Sequence, residues 1–221
     1  MKINIKGAII QSDEAWIYDW YGMEYTTAKN IERSIRNAQP NEPLVFEINS
    51  GGGDVFAGSE IRTLIANVAD RATINIIGLA GSAASVAATG AKCFIAPTGM
   101  MMIHNVACST SGDYNTMDHT SEILKKANEA VANAYVAKTG RDRQEFLDLM
   151  QKETWFTAEE AKEAGLVDGI MFENQNISLI NGIGAGKLLP REVIDKMQAG
   201  KAQKLQDFDN KFKKLGGTAH V

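Results

Sequence analysis

The alternation of apolar and polar residues starts at the first position. Ile3, Ile5 and Ala8-Ile9-Ile10 surround Gly7 and predict a short β segment. Tyr25, Ala28, Ile31, Ile35 and Ala38 recur every three or four residues and predict a helix over Glu24 to Asn37, closed by Pro40 and Pro43. Leu44-Val45-Phe46-Glu47-Ile48 reads as a buried strand running into Asn49-Ser50-Gly51-Gly52-Gly53, after which Asp54 caps a helix with Val55, Phe56, Ile61, Leu64, Ile65 and Val68 as its apolar positions. A strand over Ala72 to Leu79 ends in a small-residue turn, Gly78 to Gly81. A helix of small residues then spans Ser82 to Ala91, and short strands fit Cys93 to Ala96 and Met100 to Ile103. The second half is more helical. Met117, Ile123, Leu124, Ala127, Val131, Ala134 and Tyr135 form one stripe along Tyr114 to Lys138, with Gly140 as the stop. Arg141 to Met150 predicts another helix, Thr157-Ala158-Glu159-Glu160 a capping box that opens a short helix ending at Gly165, and Leu166 to Phe172 a closing strand.

Strand-helix alternation through the first hundred residues predicts an α/β fold of repeated ββα or βαβ units around a largely parallel sheet. From Asn174 the character changes. Asn181 to Gly186 reads as flexible, Pro190 as the start of a helix through Met197, and Lys201 to Leu215 as mostly polar. The expected division is a domain at 1–173 and a partly flexible appendage at 174–221.

Composition narrows the function. Of 221 residues, 44% are hydrophobic and 23% charged, enough apolar material for a core. Lys and Arg total 23 against 27 Asp and Glu, a formal charge of −4, which argues against a strongly basic nucleic-acid surface. No run approaches the roughly 18 apolar residues of a membrane span, and the N-terminus lacks a signal peptide's apolar segment. Cys93 and Cys108 cannot build a disulfide framework, and three histidines make a His-rich metal site improbable. The expectation is a soluble, cytoplasmic protein with no cofactor and no metal.

Three segments place reactive residue types where strands end. Consecutive glycines at Gly51 to Gly53 let backbone N–H groups face open space, where they can serve an anion or a developing oxyanion. The Gly-Lys-Ser/Thr ending of a phosphate-binding loop is absent. Ser82 follows a strand and begins a helix, where free N–H groups favour negative charge, although the Gly-x-Ser-x-Gly pattern of a nucleophile elbow is missing. His104 lies just past an apolar strand, whereas His119 and His220 fall in polar stretches. Each feature has an ordinary structural explanation: a tight turn, a helix cap, a packed histidine. A serine nucleophile needs a base, and the base an acid that fixes its tautomer. The candidate acids are Asp142, Asp148, Glu153, Glu159 and Asp168. Glu153 stands out beside Trp155 and Phe156, but spacing does not choose it over Asp148.

Taken in order, Ile48-Asn49-Ser50-Gly51-Gly52-Gly53, Gly78-Leu79-Ala80-Gly81-Ser82, Met102-Ile103-His104, Phe156-Thr157-Ala158-Glu159-Glu160-Ala161 and Gly165-Leu166-Val167-Asp168 resemble the Clp protease proteolytic subunit. Gly53-Asp54-Val55-Phe56-Ala57-Gly58 and Glu153-Thr154-Trp155-Phe156-Thr157-Ala158-Glu159-Glu160-Ala161 look more like the Clp-like head maturation proteases of phages and prophages. The likeness runs from about Lys2 to Phe172. It implies the fold shared by Clp subunits and crotonases, with residues 114–138 as a long handle helix. It also implies a serine endopeptidase with Ser82 as nucleophile, His104 as general base and Glu153, where the family usually has aspartate, as the third member. Gly52 and Ala83 match the oxyanion-hole N–H donors. Ser85 lies one turn beyond Ser82, and the family alignment favours Ser82. Gly51 replaces a usual proline, which makes that loop more flexible. The resemblance further implies a homo-oligomeric ring, a heptamer or a stacked tetradecamer, acting on capsid or scaffold precursors within a host cell or procapsid. The alternatives are a housekeeping peptidase fed by an AAA+ unfoldase, a crotonase-type acyl-CoA enzyme and a non-catalytic assembly ring.

Overall fold

The computed structural model describes residues 1–173 and, beyond them, Gly200, Lys204 and Asn210. The described fold lies within one compact unit, Met1–Asn176. The expected appendage, including the helix from Pro190 to Met197, falls outside the described residues but for those three positions.

Among the described residues, eight strands form one sheet: β1 (Lys2–Ile9), β2 (Tyr25–Thr26), β3 (Leu44–Gly53), β4 (Ala72–Gly81), β5 (Lys92–Ile95), β6 (Met100–Ile103), β7 (Thr154–Phe156) and β8 (Gly169–Ile170). The main path runs β2-β1-β3-β4-β5-β8, all parallel, while β6 branches from β4 in parallel and pairs with β7 in antiparallel fashion. The helices are α1 (Ala15–Tyr21), α2 (Ala28–Asn37), α3 (Val55–Ala66), α4 (Ala83–Ala87), α5 (Tyr114–Thr139), α6 (Arg143–Gln151) and α7 (Ala158–Glu163), with a 3₁₀ turn at Ala88–Gly90. The α/β class and the largely parallel sheet expected from the sequence are both present. No helix among the described residues is long and apolar enough to cross a membrane.

The core follows from period-two burial. Ile3 and Ile5 of β1, Leu44, Phe46 and Ile48 of β3, and Ile74 and Ile76 of β4 are buried beneath Ile61 and Ile65 of α3. Each such side chain contributes about 1.5–3 kcal/mol on leaving water. The intervening positions are only partly covered: Glu47, expected inside a fully buried strand, reaches Lys2 Nζ at 2.6 Å across the other face.

Several boundaries move for identifiable reasons. The helix expected from Glu24 starts at Ala28, because Tyr25 and Thr26 pair with β1 and Thr27 caps the helix through the Asn30 N–H. The small-residue helix after Ser82 is α4 followed by the 3₁₀ turn. The closing strand shortens to β8 because Asp168 turns its carboxylate onto the Cys93 N–H. The capping box at Thr157 and Glu160 is present in both directions.

Helix α5 divides into two parts. Its C-terminal half buries Val131, Ala132, Ala134 and Tyr135, but Met117 and Ile123 from the predicted stripe are exposed, as is Tyr114 at the helix start, by 75%. Leu124 and Ala127 of the same stripe are partly covered.

Candidate active site

The glycine turns bring three sheet ends to one place. Ser82 stands between the end of β4 and the start of α4 with φ 51° and ψ −123°, a conformation that costs a non-glycine residue about 1–3 kcal/mol. Its neighbours offset that cost. The Ser82 N–H donates to Met102 O at 2.8 Å, and its carbonyl accepts from the N–H groups of Ser85 and Val86. Because Gly81 pairs with Met102, β6 delivers His104 two residues further along the same ladder. His104 Nε2 lies 2.8 Å from Ser82 Oγ. With Nε2 accepting, the imidazole proton sits on Nδ1, and the hydroxyl is directed at a group able to take its proton.

Space for the turn is cleared by glycine. A Cβ on Gly52, whose φ is +99°, would meet Gly81 O at 2.6 Å, Ser82 Cβ at 2.7 Å and Ala83 N at 2.9 Å. The glycine-rich end of β3 thus lies against the Ser82 turn. The Gly52 N–H itself donates to Ser50 Oγ at 3.1 Å, and Ser50 in turn donates to Gly7 O at 2.6 Å. Ala83 and Ala84 open α4, so their N–H groups have no acceptor inside that helix. Gly53 and Ala83, together with Ser82 and His104, line a cavity of about 370 Å³. Its other walls are mainly apolar: Val55 and Phe56 of α3, Val106, and Ile123, Leu124 and Val131 of α5.

The candidate acids separate by the jobs they hold. Asp142 caps α6, Asp148 accepts from Gln144 Nε2 on the exposed side of α6, and Asp168 is bound by Lys138 and the Cys93 N–H. Glu159 is exposed in the first turn of α7. Glu153 is different. Antiparallel pairing of β6 with β7 ends at Ile103 opposite Thr154, and the next residues outward are His104 and Glu153. Glu153 has φ 49°, and its Oε1 accepts from Trp155 Nε1 at 3.3 Å. Among the described residues no hydrogen bond joins it to His104.

Ser85 is fully buried. Its Oγ lies 2.6 Å from Ser82 O and 2.8 Å from the Tyr135 hydroxyl, which removes it from the cavity chemistry. Sequence spacing gave no sign of Ser50, Trp155 or Tyr135 in these positions, because each contact depends on how distant elements pack. No group of three or more His, Cys, Asp or Glu side chains among the described residues is arranged to hold a metal ion.

A hydroxyl hydrogen-bonded to an imidazole, at the head of a short helix and beside a glycine-rich turn, can attack a carbonyl and stabilise the resulting oxyanion. The family model for Clp protease matches residues 24–174. The ATP-dependent Clp protease proteolytic subunit 1 of Chlamydia abortus is 36% identical over 139 residues, covering 60% of this chain and 72% of that protein. Its counterpart in Chlamydia muridarum is 35% identical over 161 residues, covering 67% and 83%. Proteolytic subunit 2 of Tropheryma whipplei is 27% identical over 137 residues, covering 61% and 76%. The match spans the glycine turn, Ser82, His104 and Glu153 together, and the chain belongs to the Clp protease family of serine peptidases.

Proposed function

We propose that this protein is an endopeptidase in which Ser82, His104 and Glu153 act as a triad, and that its substrates are capsid or scaffold precursors of a phage or prophage head. The observation that carries the chemistry is the 2.8 Å contact between Ser82 Oγ and His104 Nε2. Ser82 Oγ attacks the peptide carbonyl carbon while its proton passes to His104 Nε2. The C=O π pair moves to oxygen, which the Ala83 N–H and the glycine turn stabilise. Collapse breaks the C–N bond, His104 gives its proton to the leaving amine, and water then hydrolyses the acyl-enzyme by the same path. Gly52 joins as a donor once its N–H leaves Ser50 Oγ. Glu153 holds the Nδ1 proton after turning from Trp155 to the neighbouring imidazole.

The apolar cavity suits a hydrophobic side chain next to the scissile bond. The exposed Tyr114, Met117 and Ile123 of α5 support assembly of copies into a homo-oligomeric ring, with the handle packing between them. The phage assignment rests on the sequence around Gly53 to Gly58 and Glu153 to Ala161. The names of the Chlamydia relatives favour a second reading, a peptidase that works with an ATP-dependent unfoldase.

Labelling by a fluorophosphonate, lost in Ser82→Ala, tests the nucleophile; labelling that persists in Ser82→Ala would remove it. Co-expression with the cognate capsid precursor, followed by mass mapping, tests the substrate. Defined cleavage by wild type but not Ser82→Ala supports the head-maturation reading. Stimulated casein degradation with an AAA+ unfoldase and an intact capsid precursor would support the second. Normal capsid maturation with Ser82→Ala would sink the catalytic reading in favour of a scaffolding ring.

A further inference from the structure

The Ser82 carbonyl is held by three donors: the Ser85 N–H at 2.9 Å, the Val86 N–H at 3.3 Å and the Ser85 hydroxyl at 2.6 Å. The first two are the ordinary start of a helix, and the third is a back-bond of the kind Thr89 makes to Val86 O; what sets it apart is its second partner, the Tyr135 hydroxyl. Ser85 has one hydroxyl proton, and when it goes to Ser82 O, the 2.8 Å contact with Tyr135 requires the phenol to donate to Ser85 Oγ. Tyr135 belongs to the buried half of α5, 1% exposed, and its ring packs on Phe146 with centroids 5.5 Å apart. Burial pushes the phenol's pKa up, against the smaller opposing effect of Ser85, which favours the protonated phenol as donor. The result is a one-way chain of hydrogen bonds from Tyr135 through Ser85 to the Ser82 carbonyl.

That carbonyl shares a planar peptide unit with the Ala83 N–H, and the two bonds point in opposite directions. Fixing one aims the other. We propose that Tyr135 and Ser85 are positioning residues that orient the Ser82–Ala83 peptide, so that α5 sets the direction of the Ala83 N–H at the oxyanion site. The inference rests on the reading of Ser82 as nucleophile and Ala83 as oxyanion donor. Tyr135 also lines the cavity beside Val131. Movement of α5 is therefore transmitted to the reacting turn through side chains 50 residues apart in sequence.

The test uses the full chain, the acylation rate with a fluorophosphonate and the thermal midpoint of Tyr135→Phe, Ser85→Ala and the double variant. Tyr135→Phe keeps the ring against Phe146 and is expected to slow acylation several-fold; Ser85→Ala is expected to slow it about tenfold or more, as a misaimed oxyanion donor should. Ser85→Ala also strands the buried phenol and lowers the midpoint. The double variant removes both polar partners, so its midpoint returns toward wild type while acylation stays slow. Recovery of wild-type acylation along with the midpoint would overturn the proposal, because the pair would then be only a satisfied buried contact. A wild-type rate in Ser85→Ala would overturn it as well. Equal labelling of Ser82→Ala marks the separate failure of the nucleophile reading, and the positioning role falls with it.

Discussion

Glu153 and His104 each stand one residue beyond the last paired positions of β6 and β7, and the Glu153 carboxylate accepts from the Trp155 indole at 3.3 Å. The carboxylate proposed as the third member of the triad is thus held by a donor other than the imidazole. Its side chain is otherwise exposed.

Glu153→Gln is expected to lower kcat by up to about 10⁴, the loss seen when a triad acid is replaced by its amide. Trp155→Phe frees the carboxylate and is expected to leave kcat unchanged or raised. A full-rate Glu153→Gln together with a slow Asp148→Asn would move the third position to α6.

Gly58 is where α3 crosses α4. A Cβ there would stand 2.8 Å from both Ala83 Cβ and Ala83 O. Gly58→Ala is expected to lose about 1–3 kcal/mol in denaturant unfolding, as overpacked cores do. It should also slow fluorophosphonate acylation, since the displaced backbone is that of Ala83.

Ser50 is buried with both hydrogen bonds made, to Gly7 O and from the Gly52 N–H. Ser50→Ala leaves those two backbone groups short of a partner, at a cost of about 1–3 kcal/mol. If the Gly52 N–H is an oxyanion donor, the same substitution frees it, and acylation should fall less than stability does. Measuring both on one preparation separates the effects.

Asp168 ties α5 to the start of β5. Burial pushes its carboxyl up, but the Cys93 N–H and the Lys138 ammonium outweigh that and hold it below the ordinary carboxylate range. A depressed folded-state pKa stabilises above the unfolded value of about 3.9 and loses that contribution as pH falls through the folded value. Asp168→Asn is therefore expected to lower the thermal midpoint at pH 7, with the gap to wild type closing below pH about 4. A gap independent of pH would assign the effect to packing.

What could be read in advance depended on whether a signal was local. The turns at Gly51 to Gly53 and at Gly81, Ser82 after a strand and His104 after another are local, and the structure joins the last two at 2.8 Å. Helix α1 escaped because none of its residues is buried, so no apolar stripe marks it. β7 escaped because three residues are too few to show a period, and their conformation comes from pairing with β6. The choice between Asp148 and Glu153 was open in the spacing, since only the antiparallel register puts Glu153 next to His104. The Tyr135–Ser85 contact had no local trace: tyrosine on an apolar stripe reads as core, and serine near a helix start reads as a cap.

Four residues of the cavity wall, Thr120, Ile123, Leu124 and Ala127, come from the N-terminal part of α5, where no described residue is fully buried. A wall built from that segment is only as firm as whatever steadies it from outside. If other copies do so, turnover per subunit becomes a function of dilution: it should fall when the protein is diluted and recover on concentration, with the Ser82–His104 contact untouched throughout.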